Sequence, residues 1–251
     1  MCGDHLVRRS SIARLDSGVY ILRGARASGD ALRLLLGKPT SCVGREYELG
    51  QLQGSFLSCI DESQSRALLI TGQAGMGKSR LRQEFLNRVA EGSGDVQILL
   101  GQVEPMSGGS TYGLFQQVIR GLCGVLEDDS LTAKKRKLQE RCEQHLPAGQ
   151  RLAVSEFLGE LCGIPFPDED SSLLRKARQN PVQMNEEIGH ALVSFLRAEC
   201  AVHPVLLVLE DIHWADSLSI NLVGRALRDL EDQPFLVLAF ARPEVKDLFP
   251  A

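Results

Sequence analysis

The hydrophobic pattern along the chain predicts short strands that alternate with longer helices. Continuous apolar runs at residues 67–71 and 205–209 are typical of buried strands, and runs at 96–100 and 235–240 predict two more. Apolar residues also recur at helical spacing, for example at Leu81, Phe85 and Val89 directly after the first strand. This alternation predicts an α/β fold built around a parallel sheet.

A long helical segment interrupts this alternation between residues 102 and 202. Its apolar residues fall on helix faces, for example Val154, Phe157, Leu158 and Leu161, and then Ile188, Leu192, Phe195 and Leu196. We interpret it as a helical insertion within an α/β domain that spans residues 37–251. Residues 1–36 hold scattered arginines and few apolar positions, so we expect a partly disordered linker or the tail of a preceding module.

Composition narrows the class of protein. The 251-residue chain is 43% hydrophobic and carries a net charge of -4, which gives no general reason to expect nucleic-acid binding. The basic run at 134–137 has acidic neighbours and is interpreted as a solvated helix face. No apolar run approaches the roughly 20 residues of a membrane span, so we expect a cytoplasmic protein with no membrane partner. The seven cysteines contain no C-x-x-C pair and are expected to be reduced thiols.

Residues 72–79 match the phosphate-binding pattern G-x-x-x-x-G-K-[ST] at every defined position, between a predicted strand and a predicted helix. Glycines allow backbone N–H groups to surround phosphates, the lysine reaches the outer phosphates and the serine holds magnesium. The expected ligands are therefore ATP and Mg²⁺. The predicted nucleotide-binding residues of this segment are Gly72, Gln73, Ala74, Gly75, Met76, Gly77, Lys78, Ser79 and Arg80.

Two further segments supply chemistry to the same predicted site. The apolar run at 205–209 ends in Glu210 and Asp211, where a P-loop nucleotidase needs one acid for magnesium and one for the attacking water. Which acid serves magnesium stays open, although we expect Glu210 to do so and Asp211 to act on water. Arg242 follows the strand at 235–240 and is expected to contact the γ-phosphate. His213 is interpreted as a packed loop residue, with sensing of the γ-phosphate or proton transfer as the alternatives.

These segments together resemble the origin-recognition-like AAA-type ATPase modules of STAND regulators. The matching stretches are residues 43–49, 72–79, 209–216 and 241–244, which occur in the same order as in that family. The resemblance implies that Val43, Gly44 and Arg45 lie beside the adenine and that Arg242 occupies the sensor position. Such modules commonly have Asp before Glu at the strand end, and the order here is Glu210 then Asp211.

The same resemblance implies an ATP-hydrolysing switch within a larger signalling or transcriptional regulator. It implies a kinase or class III nucleotide cyclase domain upstream, a helical-repeat sensor downstream and nucleotide-dependent self-association. We expect the lid subdomain of the family to be absent from residues 37–251 and the isolated chain to hydrolyse ATP slowly. Three alternatives remain open: a nucleic-acid-associated ATPase, a nucleotide-binding scaffold without turnover, and a kinase that uses the same loop.

Overall fold

The structure, a computed structural model, describes residues 44–92, 95–103 and 111–245, and the backbone of four short strands nearer the N-terminus. The chain divides into two units, Met1–Val43 and Gly44–Ala251. In the first unit, β1 (Ser10–Arg14) pairs antiparallel with β2 (Tyr20–Ala25), and β3 (Leu34–Leu35) with β4 (Lys38–Pro39). The predicted boundary at residue 36 lies slightly before this division.

The apolar runs of the second unit form one parallel sheet. Its strands are β5 (Arg66–Thr71), β6 (Gln97–Gln102), β7 (Val205–Glu210) and β8 (Phe235–Ala241). They lie in the order β5-β8-β7-β6, and each hydrogen-bonded pair is parallel. All four strands therefore end at the same edge of the sheet. The predicted α/β fold with a parallel sheet flanked by helices is confirmed.

The strands differ in burial, and one prediction is corrected. Every residue of β8 and the first five residues of β7 are buried, as expected for strands covered on both faces. The run at 67–71 was predicted to be a buried strand, but β5 alternates between partly buried and exposed residues, and Leu69 is 49% exposed. The alternation shows that one face of β5, an edge strand of the described sheet, is left uncovered by the described residues.

Helices cover the sheet and form the segment between β6 and β7. They are α1 (Glu46–Asp61), α2 (Lys78–Gly92), α3 (Gly113–Leu122), α4 (Leu131–His145), α5 (Ala148–Cys162), α6 (Ser172–Arg178), α7 (Pro181–Cys200) and α8 (Ser217–Asp229). Helices α3 to α7 make up the segment that the sequence pattern marked as a helical insertion. In the part of the chain that the structure describes, no helix is both long and apolar enough to cross a membrane.

Short polar side chains fix where several helices begin. Ser130 accepts a hydrogen bond from Ala133 N–H at the start of α4 (3.2 Å), and Asn180 accepts from Val182 N–H at the start of α7 (3.1 Å). Pro181 follows Asn180 as the first helical residue, where its missing N–H costs no helical bond. Such caps stabilise a helix by about 1 kcal/mol each.

A single hydrophobic core joins the helical segment to the sheet. Among its buried members are Phe115, Phe157, Phe195, Leu207 and Phe235. Because β7 and β8 contribute to the same core as α3, α5 and α7, the helical segment is packed on the sheet that carries the strand ends. The five described cysteines are free thiols, and four of them are buried in helices.

The basic run at 134–137 lies on α4 and is engaged by local partners. Lys134 Nζ donates to the carbonyl oxygen of Glu127 (2.7 Å), and Lys137 Nζ pairs with Asp129 Oδ2 (2.6 Å). Arg136 pairs with Glu140 (2.7 Å), and Lys135 Nζ lies 5.5 Å from the ring centre of Phe166. Each residue of the run thus has a local partner and only Arg136 is exposed, so a solvated helix face stays a prediction.

Gly159 of α5 is expected to be intolerant of a side chain. A Cβ at this position would lie 2.5 Å from Phe166 Cδ2 and 2.6 Å from the carbonyl oxygen of Ile164. We expect Gly159→Ala to lower the free energy of unfolding by about 1–3 kcal/mol, measured by urea denaturation. Gly54→Ala in α1 is the matched control, because a Cβ there meets nothing within 4 Å and alanine favours the helix. Equal stabilities of the two variants would contradict this account.

Candidate nucleotide site

The candidate site lies at the edge where the parallel strands end. The phosphate-binding segment leaves β5, the two acids leave β7 and Arg242 leaves β8. Thr71 and Ala241 lie opposite each other in the sheet, and Gly72 N–H donates to the carbonyl oxygen of Ala241 (3.2 Å). Segments that are far apart in the sequence are thus brought to one edge by strand pairing.

The loop depends on glycine at two positions. Gly75 has a φ of 82° and Gly77 a φ of 81°, a region that side-chain-bearing residues rarely adopt. A Cβ built on either glycine meets nothing within 4 Å, so conformation rather than crowding requires glycine there. Helix α2 begins immediately afterwards, at Lys78. The loop is therefore open in front of a helix N-terminus, which is the environment that binds phosphate groups.

The ammonium group of Lys78 lies across this loop. Its Nζ donates to the carbonyl oxygens of Gly72 (2.6 Å) and Gln73 (3.2 Å). Two neutral carbonyls are weaker partners for a cation than a phosphate, because a phosphate adds the attraction of its own negative charge. The side chain is held at the loop and can exchange these contacts for an anionic ligand.

Arg45 braces the loop from the side of α1. Its Nη2 donates to the carbonyl oxygen of Met76 (2.9 Å), while its Nη1 pairs with Glu48 Oε1 (2.9 Å). Gly44 precedes Arg45 and is exposed, and Val43 lies outside the residues whose side chains are described. A location of these three residues beside adenine stays a prediction, but Arg45 does contact the phosphate-binding loop.

The two acids at the end of β7 have different environments. Glu210 Oε2 lies 2.9 Å from Arg82 Nη1 of α2, and these side chains are only 13% and 10% exposed. Asp211 is 43% exposed and has a φ of 54°, which is uncommon for a residue with a side chain. Backbone strain of this kind clusters at functional sites. Arg82 was not among the predicted site residues, because no local pattern links it to Glu210, which lies far away in the sequence.

His213 connects the segment after β7 with the end of β8. Its side chain is 6% exposed, and its Nδ1 accepts a hydrogen bond from Arg242 N–H (3.4 Å). Burial lowers the pKa of His213 below its ordinary value, and Arg242 and Lys78 lower it further, against the opposing effects of Asp211 and Glu244. The imidazole is therefore neutral near pH 7 and packs 5.2 Å from the ring of Trp214.

Asp216 ties this segment to the helical insertion. Its Oδ1 accepts from Ser219 N–H (2.9 Å) and so caps α8. The same oxygen accepts from Tyr112 N–H (3.4 Å), which directly precedes α3. The chain that follows the acids is thereby linked to the start of the helical insertion.

The fold and the loop define a P-loop nucleotide-binding domain. Residues 41–238 match the family described as the AAA ATPase domain, and the chain belongs to that family. It is also 29% identical over 203 residues to an uncharacterized protein of Rhizobium meliloti (strain 1021), a match that covers 80% of this chain and 18% of that protein. The chain thus spans about a fifth of the length of this relative. Membership of the family implies that the domain binds ATP.

The residues of the site fit ATP and magnesium. The open glycine loop, the helix N-terminus and Lys78 suit phosphate groups, as described above. The hydroxyl group of Ser79 and the carboxylates of Glu210 and Asp211 are oxygen donors of the kind that Mg²⁺ prefers. Arg80 lies in the same first turn of α2, partly buried, and Arg242 is exposed beside the end of β8.

We expect His213 to make stability depend on pH. Above about pH 6.5 the ring is neutral in both the folded and the unfolded chain. As the pH falls below that value, the unfolded chain binds a proton first, so the free energy of unfolding decreases until the lowered folded pKa is passed. Urea denaturation at about pH 7.5 and about pH 5.5 should show a smaller decrease for His213→Asn than for the wild type. Equal decreases in the free energy of unfolding of the wild type and His213→Asn would show that His213 does not cause this pH dependence.

Proposed function

We propose that this domain is an ATP-hydrolysing switch module of a larger signalling or transcriptional regulator. One observation carries the proposal: Lys78, the acids Glu210 and Asp211, and Arg242 follow three strands that end at one edge of the sheet. Binding alone requires the loop and the lysine. The additional acids and arginine at the same edge are the groups that hydrolysis requires.

The mechanism assigns a task to each side chain. Lys78 exchanges the loop carbonyls for the outer phosphates of ATP, and Arg242 stabilises negative charge that develops on the γ-phosphate. Ser79 and one acid would hold magnesium, which would neutralise part of the phosphate charge. The other acid, for which we propose Asp211, orients the attacking water and accepts the proton of that water. A bond forms between the water oxygen and the γ-phosphorus, and the bond in line with it, from the γ-phosphorus to the bridging oxygen of the leaving ADP, breaks.

The switch role is supported by the contacts that link the site to the helical insertion. A change in backbone conformation after the acids would alter two hydrogen bonds of Asp216. One caps α8, and the other comes from Tyr112 N–H at the start of α3. The match covers only 18% of the relative, which supports a setting among further domains. A cyclase or kinase upstream, a helical-repeat sensor downstream, nucleotide-dependent self-association and a cytoplasmic location belong to the same proposal.

The alternative functions are less well supported. A nucleic-acid-associated ATPase would need a free cationic surface, and the basic run at 134–137 is engaged by local partners. A scaffold without turnover would need no acids beside the loop. A kinase would need an acceptor site, and assay of the phosphorylated product against inorganic phosphate distinguishes it from an ATPase.

We expect Lys78→Ala to weaken ATP binding by at least tenfold, because the substitution removes a charge-assisted contact while leaving the loop backbone in place. Titration calorimetry with ATP and magnesium measures the change. Lys176→Ala in α6 is the matched control, since it removes an equal charge from an exposed position of the insertion. Unchanged affinity in a folded Lys78→Ala protein would exclude the proposed phosphate site.

We expect Asp211→Asn to preserve ATP binding and to reduce hydrolysis by about 10²-fold or more, as for loss of a general base. Asparagine tolerates the positive φ at this position, so the backbone should be retained. Glu210→Gln should chiefly weaken the magnesium-dependent part of binding. Phosphate release and calorimetry on both variants test the assignment, and exchanged phenotypes would reverse the roles of the two acids.

A further inference from the structure

The ion pair between Arg82 and Glu210 is nearly withdrawn from solvent. The 2.9 Å contact joins the helix that follows the phosphate-binding loop to the strand that carries the acids, with both side chains at most 13% exposed. Attraction between opposite charges is several times stronger in such surroundings than at the surface. The pair therefore fixes where the Glu210 carboxylate lies in this structure.

The position of Arg82 brings this pair close to the expected metal ligand. Arg82 follows Ser79 by three residues on α2, so the two lie on neighbouring turns of one helix face. Glu210 is the last residue of β7 and directly precedes Asp211. The carboxylate that would serve magnesium together with Ser79 is thus already bound to a cation one helical turn from Ser79.

We propose that Arg82 is a positioning residue that competes with magnesium for the carboxylate of Glu210. This inference rests on the proposed function. While Glu210 is paired with Arg82, its negative charge is compensated, and binding of a divalent cation beside it must weaken or rearrange that pair. The guanidinium also repels a second cation. Arg82 therefore sets how strongly ATP binding depends on magnesium.

The test compares ATP affinity with and without magnesium in the whole 251-residue chain. Titration calorimetry gives the dissociation constant of ATP in excess chelator and in excess Mg²⁺, and the first constant divided by the second measures magnesium dependence. We expect Arg82→Gln to raise this ratio roughly tenfold above wild type, because it removes the competing charge. Arg88→Gln is the control, since it makes the same change on the same helix at a residue paired with Glu46 (2.9 Å).

The action of Arg82 through Glu210 is tested by a double-mutant cycle. In a Glu210→Gln background the added Arg82→Gln change should leave the ratio unaltered, because the contested carboxylate is gone. A merely structural ion pair would lower thermal stability in Arg82→Gln without changing the ratio. An unchanged or lowered ratio in Arg82→Gln, or an equal effect in both backgrounds, overturns the proposal.

A second variant covers the case in which Arg82→Gln does not fold. Glu210→Asp keeps an acid for magnesium but shortens its reach toward Arg82, so the ratio should rise several-fold; a ratio at or below that of wild type overturns the proposal. Failure of the wild type to bind ATP would overturn the proposed function and this inference together. Magnesium-dependent binding in the wild type, with no change in ratio in Arg82→Gln, would overturn this inference alone.

Discussion

Parallel pairing of β5, β8 and β7 is the constraint on which the candidate site depends. Because the strands run in one direction, the segments that follow them must emerge at one edge. The hydrogen bond from Gly72 N–H to Ala241 fastens the phosphate-binding loop to β8 at this edge. Strands β7 and β8 are buried in the common core, which holds them in place. Their positions determine where the loop, the acids and Arg242 lie.

Adjacent residues in the sequence acquire different chemistry at this edge. Glu210 is still part of the strand, and its carboxylate forms an ion pair with Arg82 in which both side chains are nearly buried. Asp211 is past the strand end, adopts a positive φ and faces solvent. Two carboxylates with similar intrinsic acidity are thus separated into one that is paired and one that is accessible. Two neighbouring acids in one site commonly take different roles because their environments differ in this way.

The helical insertion is joined to the sheet and to the segment that follows the two acids. Its helices share the core with β7 and β8, and the Tyr112 contact to Asp216 joins its first helix to the chain that leaves the acids. Arg225 of α8 adds a second link, because it donates to the carbonyl oxygen of Glu186 in α7 (3.0 Å). Two hydrogen bonds thus link the segment after the acids and helix α8 to the helical insertion.

The sequence by itself determined the strand runs, the helix faces and the loop at 72–79, because each depends on local spacing along the chain. Only the tertiary structure decided that β5 lies at a sheet edge with Leu69 exposed, since strand order is a property of the whole sheet. It also decided that Arg45 contacts the loop at Met76 and that Arg82 pairs with Glu210. Those partners are far apart along the chain, and spacing within one segment carries no information about which distant charge will lie opposite.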